Sequence, residues 1–302
     1  MKALRHPLVR LVSIVPLCGA LVAGLLAAAW MALGSPNPAA GTTWFQVQKV
    51  GEAHFTPAPD QPFFFLALGN DGRSDADPGL GDAIHVIGVN PASHQATILD
   101  VPRDTQAPGG QKINSYHSLH GLPGIVDQLD QMMGIRISYA ITTNFPGFIG
   151  MVDDIGGIDV NVPRELHDYY SGAFFQPGVQ HLSGDQSLRL ARDRHDYNDG
   201  DISRTGNQAL EIVSTLATLR AQNPGAIGTA HLVAILASHI RMLNVDIGEL
   251  FRLGRLALSI DPANVRSVVI PVSEGSGTNL LVTPAAQSLF ADFRDDAVLQ
   301  NH

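Results

Sequence analysis

Residues 83–101, AIHVIGVNPASHQATILDV, contain two short apolar runs, AIHVIGVN (83–90) and QATILDV (95–101), on either side of a turn at Pro91. Short apolar runs bounded by turn residues read as strands. Working outward, FFFLALG (63–69) is a third run of the same kind, and SYAITTN (138–144), GIDVNV (157–162) and RSVVIPV (266–272) read as further strands. Helical patterns alternate with them at 119–134, 144–157, 225–243, 245–258 and 284–293. Ser183 opens S-G-D-Q, a capping box, and a longer helix is predicted from Asp201 to about Gln222. The expected fold class is therefore α/β or α+β, a central mixed sheet covered by helices.

The ends of the first three strands carry polar residues. One runs into Gly69-Asn70-Asp71-Gly72-Arg73, the next follows Gly81-Asp82, and the third ends Val101-Pro102-Arg103-Asp104-Thr105. Polar groups at strand ends sit at the mouth of the crevice where ligands bind in helix-covered sheets. Asp-Gly and Pro-Arg-Asp are also ordinary turn sequences, and it is their repetition on three strands that points to a site.

Residues 191–208, ARDRHDYNDGDISRTGNQ, thread Arg192, Arg194 and Arg204 among four aspartates. Such a stretch is either a solvated ion-pair ribbon or an anion site. On a helix beginning at Asp201, Arg204 and Gln208 fall on one line with Ile212, beside the apolar stripe Ala209, Ile212, Val213, Leu216 and Leu219. Both polar side chains therefore point coreward at the first turns. A buried Arg needs a carboxylate or a bound anion, and a helix start favours phosphate. In an extended segment Arg192 and Arg194, two apart, face one side. The resulting inventory is Arg73, Arg103, Arg192, Arg194 and Arg204 as cations with Asp71, Asp82 and Asp104 as carboxylates. Arginines that neutralise phosphate oxygens beside carboxylates that hold Mg²⁺ are what a pyrophosphate requires.

Composition narrows the partners. A formal net charge of -9, with Lys only at positions 2, 49 and 112, argues against nucleic acid. Lys2, Arg5, His6 and Arg10 precede an uncharged run from Leu11 to Leu33. About 20 apolar residues cross a bilayer, so 11–33 reads as a retained transmembrane anchor rather than a cleaved signal peptide, with 1–10 as a cytoplasmic tail. Prolines 36, 38, 57, 59 and 62 mark 34–62 as a linker, which leaves 63–302 as a single domain outside the cytoplasmic membrane. The one cysteine, Cys18, lies in the apolar run, so the exported part has neither disulfide nor thiolate chemistry. His117-x-x-His120 has helical metal spacing but no third ligand near it in sequence. No G-x-S-x-G, Walker loop or H-E-x-x-H occurs.

The pieces ALGNDGR (67–73), Asp82, VNP (89–91), VPRDT (101–105), KIN (112–114), NFPGFIGMVDDIGGIDVNVP (144–163), LSGDQSLRLARDRH (182–195) and DGDISRTGNQ (199–208) together resemble the LytR-CpsA-Psr (LCP) family of envelope phosphotransferases. The resemblance implies Mg²⁺-assisted transfer of a glycopolymer from a polyprenyl-pyrophosphate carrier to peptidoglycan or another envelope acceptor. It implies Asp71 and Asp82 as metal and catalytic aspartates, and Arg103, Arg192, Arg194, Arg204 and Gln208 as the pyrophosphate clamp. By the same resemblance Asp104 matches as a further catalytic aspartate and Arg73 as a further pyrophosphate-binding cation. Two departures stand out: Asn207 occupies the place of a usual Arg before the final Gln, and Leu80-Gly81 replaces a polar pair before Asp82. The apolar stretches 226–243 and 245–260 read as core or as the lining of a polyprenyl groove. Rival readings are a pyrophosphatase that uses water as acceptor and a non-catalytic carrier-binding protein.

Overall fold

The computed structural model describes residues 45–51, 61–72, 79–197, 200–222, 225, 227–230, 232–233 and 240–300, all within one unit spanning 38–302. The 11–33 span and Arg73 lie outside the described residues, and among those described no helix is long and apolar enough to cross a membrane.

In chain order the first strands are β1 (Phe45–Lys49), β2 (Phe63–Asn70), β3 (Gly81–Asn90), β4 (Gln95–Asp100) and β5 (Ile137–Asn144). Short strands β6 (Ile158–Val162), β7 (Leu166–Asp168), β8 (Ala173–Phe175) and β9 (Gly178–Leu182) follow, then β10 (Ile240–Leu243), β11 (Val265–Val269), β12 (Val272–Glu274) and β13 (Leu280–Val282). The helices whose bounds lie within the described residues include α1 (Ile113–Met133), α2 (Phe145–Asp154), α3 (Gly184–Ala191), α4 (Asp201–Gln222), α5 (Ile247–Ser259) and α6 (Pro284–Asp296). Seven strands form one mixed sheet in the order β10-β1-β5-β2-β3-β4-β11. The turn at Pro91 does join an antiparallel pair, with Val89 opposite Ala96.

Strand alternation divides the sheet's residues between two faces. On one face Phe64, Leu66, Leu68, Ile84, Val86 and Leu99 pack with Leu129 and Met133 of α1 and Phe290 and Phe293 of α6. This core is tight enough that a Cβ on Gly88 would stand 2.6 Å from the Phe293 ring. The other face carries Phe65, Ala67, Ala83, His85, Ile87, Val89, Ala96 and Ile98, and these line a cavity under α4 and α5. A separate core lies beneath α2 and α3, built from Val152, Ile158, Val160, Leu166 and Leu190.

Three expectations change. Residues 45–49, placed in the linker, form β1 between β5 and β10 in the sheet. The helix expected to run to 243 gives way to a strand at Ile240, where pairing with β1 outweighs local pattern. The helix expected from Leu119 begins six residues earlier at Ile113 and bends at Gly121, whose φ of 66° is left-handed. The Ser183 capping box forms as read, with Ser183 accepting from Gln186 N–H and the Gln186 side chain accepting from Ser183 N–H.

Candidate functional site

Asp71 follows β2 in a loop held by its neighbours. Asn70, buried, accepts from Gly72 N–H at 2.9 Å, and Asp71 Oδ1 accepts from Leu80 N–H at 2.7 Å. Gly79 sits against this loop with φ 70°, and a Cβ there would stand 2.4 Å from Asp71 Oδ1, so the close return of the chain requires glycine. Asp82, near the start of β3, is bonded through Oδ1 to Arg103 Nη1 at 2.9 Å. Among the described residues the second oxygen of each aspartate has no hydrogen-bond partner.

Arg204 lies in the first turn of α4, 6 % exposed. Its Nη2 is 2.8 Å from Asp201 Oδ1 and donates to the Asp82 backbone carbonyl at 3.2 Å. Arg103 Nε lies 3.4 Å from the same Asp201 oxygen. These are contacts of distance more than of aim, since both Asp201 oxygens, Arg103 Nε and Arg204 Nε lack an aligned hydrogen bond. Burial lowers the Arg204 pKa from its usual value, Asp201 opposes, and Arg103 lowers it further. Burial likewise raises the Asp201 carboxyl against the pull of Arg204 and Arg103. The cluster therefore sets two arginines against the carboxylates of Asp82 and Asp201 and leaves Nε of both guanidinium groups without an aligned partner, donors available to a bound anion.

Arg192 and Arg194 complete the mouth. Both line the cavity while Asp193 between them is fully buried, although Arg192 is the helical C-cap of α3 and not part of the extended segment expected there. Arg192 rests over the Phe145 ring at 5.3 Å, and no ion pair joins either guanidinium to a carboxylate among the described residues. Gln208 also lines the cavity, with Nε2 donating to the Ala191 carbonyl at 3.0 Å, so it braces the chain just before Arg192.

Behind this polar mouth the cavity, of about 780 Å³, turns apolar. Ile212, Val213, Leu216 and Leu219 of α4, read as facing a filled core, line it instead, together with Leu250, Leu253, Leu256 and Ala257 of α5. His85 stands between the two regions, buried, its Nδ1 2.6 Å from Asp100 Oδ1, while Ser267 donates to Asp100 Oδ2 at 2.5 Å.

The structure thus gathers Asp71, Asp82, Arg103, Arg192, Arg194, Arg204 and Gln208 on one cavity. Asp104 is not among them. Its side chain is bound by Lys112 Nζ at 2.6 Å in a separate depression that also holds Gln111 and Ser115, and Lys112 continues to Thr278. Arg103 and Asp104 are the central residues of a turn closed by Thr105 N–H on the Pro102 carbonyl at 3.0 Å, and Lys112 holds Asp104 away from the cavity that Arg103 enters. Asp201, taken only as a helix start, proves to be the carboxylate shared by buried Arg204 and half-buried Arg103. His117, buried, donates through Nδ1 to the Gly79 carbonyl at 3.1 Å and belongs to no group of three metal-ligating side chains among the described residues. For Mg²⁺ the donor set fits in kind. Asp71 and Asp82 offer hard oxygens on one wall, too few for a protein cage and enough for an ion that keeps water and substrate phosphate.

Comparisons with known proteins agree with this architecture. The polyisoprenyl-teichoic acid–peptidoglycan teichoic acid transferase TagU of Bacillus mycoides is 33% identical over 153 residues, 49% of this chain and 49% of the relative. The chain thus spans about half the length of that curated relative. The crystal structure of Bacillus subtilis TagV superposes with a TM-score of 0.67 at 22% identity, covering 80% of this chain and 99% of that one. An LytR-Csp2A-Psr enzyme from Actinomyces oris gives 0.63 at 20% identity, covering 83% and 92%. A match to the LytR_cpsA_psr family extends over residues 40–293, and the chain belongs to that family.

Proposed function

We propose that this protein transfers a glycopolymer from a polyprenyl-pyrophosphate carrier to a hydroxyl of peptidoglycan or a similar envelope glycan, releasing polyprenyl phosphate. The observation that carries this reading is the two-part cavity. A mouth of arginines and aspartates continues into an apolar sleeve, which matches a ligand with a charged head and an isoprenoid tail. Relatives named as teichoic acid transferases point to the same chemistry.

In this reading Arg103, Arg192, Arg194 and Arg204 neutralise the pyrophosphate oxygens and hold the reacting phosphorus in line with the acceptor. Asp71 and Asp82 would hold Mg²⁺, which supplies charge neutralisation on the phosphates when bound. The walls from α4 and α5 take the tail and exclude water from its path. Residues 11–33 anchor the chain in the cytoplasmic membrane, with the domain outside, because the basic residues precede the apolar span. A reporter fused after His302 that is active only in the cytoplasm tests this, and its activity would overturn it.

Turnover tests the function. Full-length protein in detergent, given a short polyprenyl-pyrophosphoryl disaccharide, Mg²⁺ and a glycan oligomer, should yield glycan-linked product and polyprenyl phosphate by mass spectrometry. Arg204→Ala should lower the rate about a hundredfold, on the order of 3 kcal/mol for one charged contact at the transition state. Free phosphorylated disaccharide alone would mark a hydrolase instead, and lipid binding with no turnover would mark a carrier-binding protein.

A further inference from the structure

Phosphoryl transfer to a sugar hydroxyl releases a proton, and the polar groups described so far are poorly suited to take it. Asp201 is held between two arginines, while Asp71 and Asp82 face the candidate metal position. Across the mouth lies a pair that the sequence motifs did not single out. His195, immediately after Arg194, lines the same cavity together with Asp168, Tyr170 and Ser171 from the turn between β7 and β8.

His195 Nδ1 stands 3.1 Å from Asp168 Oδ2. The Asp168 side chain is 1% exposed and is fixed by further donors, Tyr170 N–H at 2.8 Å and Arg194 N–H at 3.4 Å. Burial works to raise its pKa, but the bonds from His195, Tyr170, Ser171 and Arg194 outweigh it and hold the carboxyl well below its usual range. An ionised carboxylate therefore receives the Nδ1 proton of the imidazole, which leaves the lone pair on Nε2. The Tyr170 ring lies over the imidazole, centroids 4.3 Å apart at 30°, and restrains its plane. The His195 side chain is 45% exposed, so the dyad is closed at its carboxylate and open at its imidazole. A base that meets an acceptor arriving from solvent needs that arrangement.

Resting on the transferase reading above, we propose that His195, oriented by Asp168, is the general base for the acceptor hydroxyl. The hydroxyl proton passes to His195 Nε2 as the acceptor oxygen bonds to the glycan-side phosphorus. The bond from that phosphorus to the bridging oxygen breaks, its electron pair leaves with polyprenyl phosphate, and the imidazolium returns its proton to solvent. The titratable groups in contact with the ring are Asp168 and Tyr170 from the hairpin, and its own segment carries Asp193, Arg194 and Asp196 beside it in sequence.

The test uses the full-length protein and the turnover assay described above. His195→Ala should lower kcat for transfer by a factor of about 10² to 10³ and leave KM for the carrier within about threefold. Added imidazole should restore at least tenfold of the loss. His195→Gln, which can keep a hydrogen bond to Asp168 but accepts no proton, should stay as slow as His195→Ala and keep the wild-type melting temperature. The acidic limb of the pH–rate profile should vanish in both variants and persist in Asp193→Asn. Wild-type rates in His195→Ala, or full activity in His195→Gln, would overturn the proposal and leave His195 as a clasp between the hairpin and the arginine segment. If wild-type protein makes no product from carrier and acceptor, the transferase reading itself fails, and that outcome is visible before any variant is made.

Discussion

At the residue scale, Asp193 is the buried charge with the clearest consequence. It is 0% exposed, and burial together with the nearby carboxylates of Asp196 and Asp168 pushes its pKa from 3.8 to about 6. A carboxyl raised in the fold favours the folded state fully below its unfolded value, and that advantage is lost as the pH rises through about 6. Asp193→Asn should therefore stabilise the protein at pH 7.5 by about 1–2 kcal/mol, the full displacement being discounted for solvent screening. It should also flatten the stability curve between about pH 4 and 6, where its amide can donate to Asp168 or Asp196. Denaturant midpoints measured across that range check both effects, and an unchanged or lowered midpoint at pH 7.5 would count against the assignment.

At the scale of elements, the unexpected strand β1 is tied to α5 through one carboxylate. Glu249, 2% exposed, accepts from Tyr139 OH of β5 at 2.5 Å and pairs with Lys49 Nζ of β1 at 2.9 Å. Burial works to raise the Glu249 pKa, and the bonds from Tyr139 and Lys49 overcome it, so the carboxyl titrates below its usual value. Here the sign is opposite to that of Asp193: the stabilisation is full above the unfolded value and is lost as the pH falls through the folded one. Glu249→Ala leaves the Tyr139 hydroxyl and the Lys49 ammonium without their partner and should cost about 3 kcal/mol at neutral pH. Chemical denaturation measures that loss, which should shrink in acid as the wild-type carboxyl itself becomes protonated. A cost under about 1 kcal/mol would mean that β1 is held by backbone pairing alone.

At the scale of the whole molecule, the proposed function requires the cavity to couple metal and lipid. Asp71 and Asp82 reach it from the ends of two strands, the arginines from the loop after β4 and from the α3–α4 segment, and the apolar walls from α4 and α5. Two carboxylates bind Mg²⁺ weakly unless substrate phosphate completes the shell. Free protein should therefore bind Mg²⁺ weakly, and a short polyprenyl pyrophosphate should tighten that binding about tenfold. By linkage Mg²⁺ must tighten the lipid by the same factor. Asp82→Asn should abolish the coupling. Calorimetric titration of the lipid with and without Mg²⁺, in both proteins, decides it: four equal affinities would leave the arginines as a metal-independent clamp.

Local sequence settled the elements whose signals are local. Apolar runs bounded by turns located β2 to β5, the capping box located α3, and the polar start with an apolar stripe located α4 from Asp201 to Gln222. Arg103, Arg192, Arg194 and Arg204, with two of the three aspartates, were legible because strand-end position and helical spacing fix side-chain direction within a few residues. Tertiary structure decided what depends on distant partners. Phe45–Lys49 is a strand only because β5 and β10 flank it. The stripe on α4 borders a cavity because α5 and the sheet stand off from it, a spacing that no hydrophobic pattern encodes. Asp104 turns to Lys112, Asp201 joins Arg103 to Arg204, and Asp168 meets His195 across 27 residues of chain. Each is a choice among charged partners of similar chemistry, and only the packing of elements far apart in sequence brings one carboxylate within reach of its cation and leaves another outside.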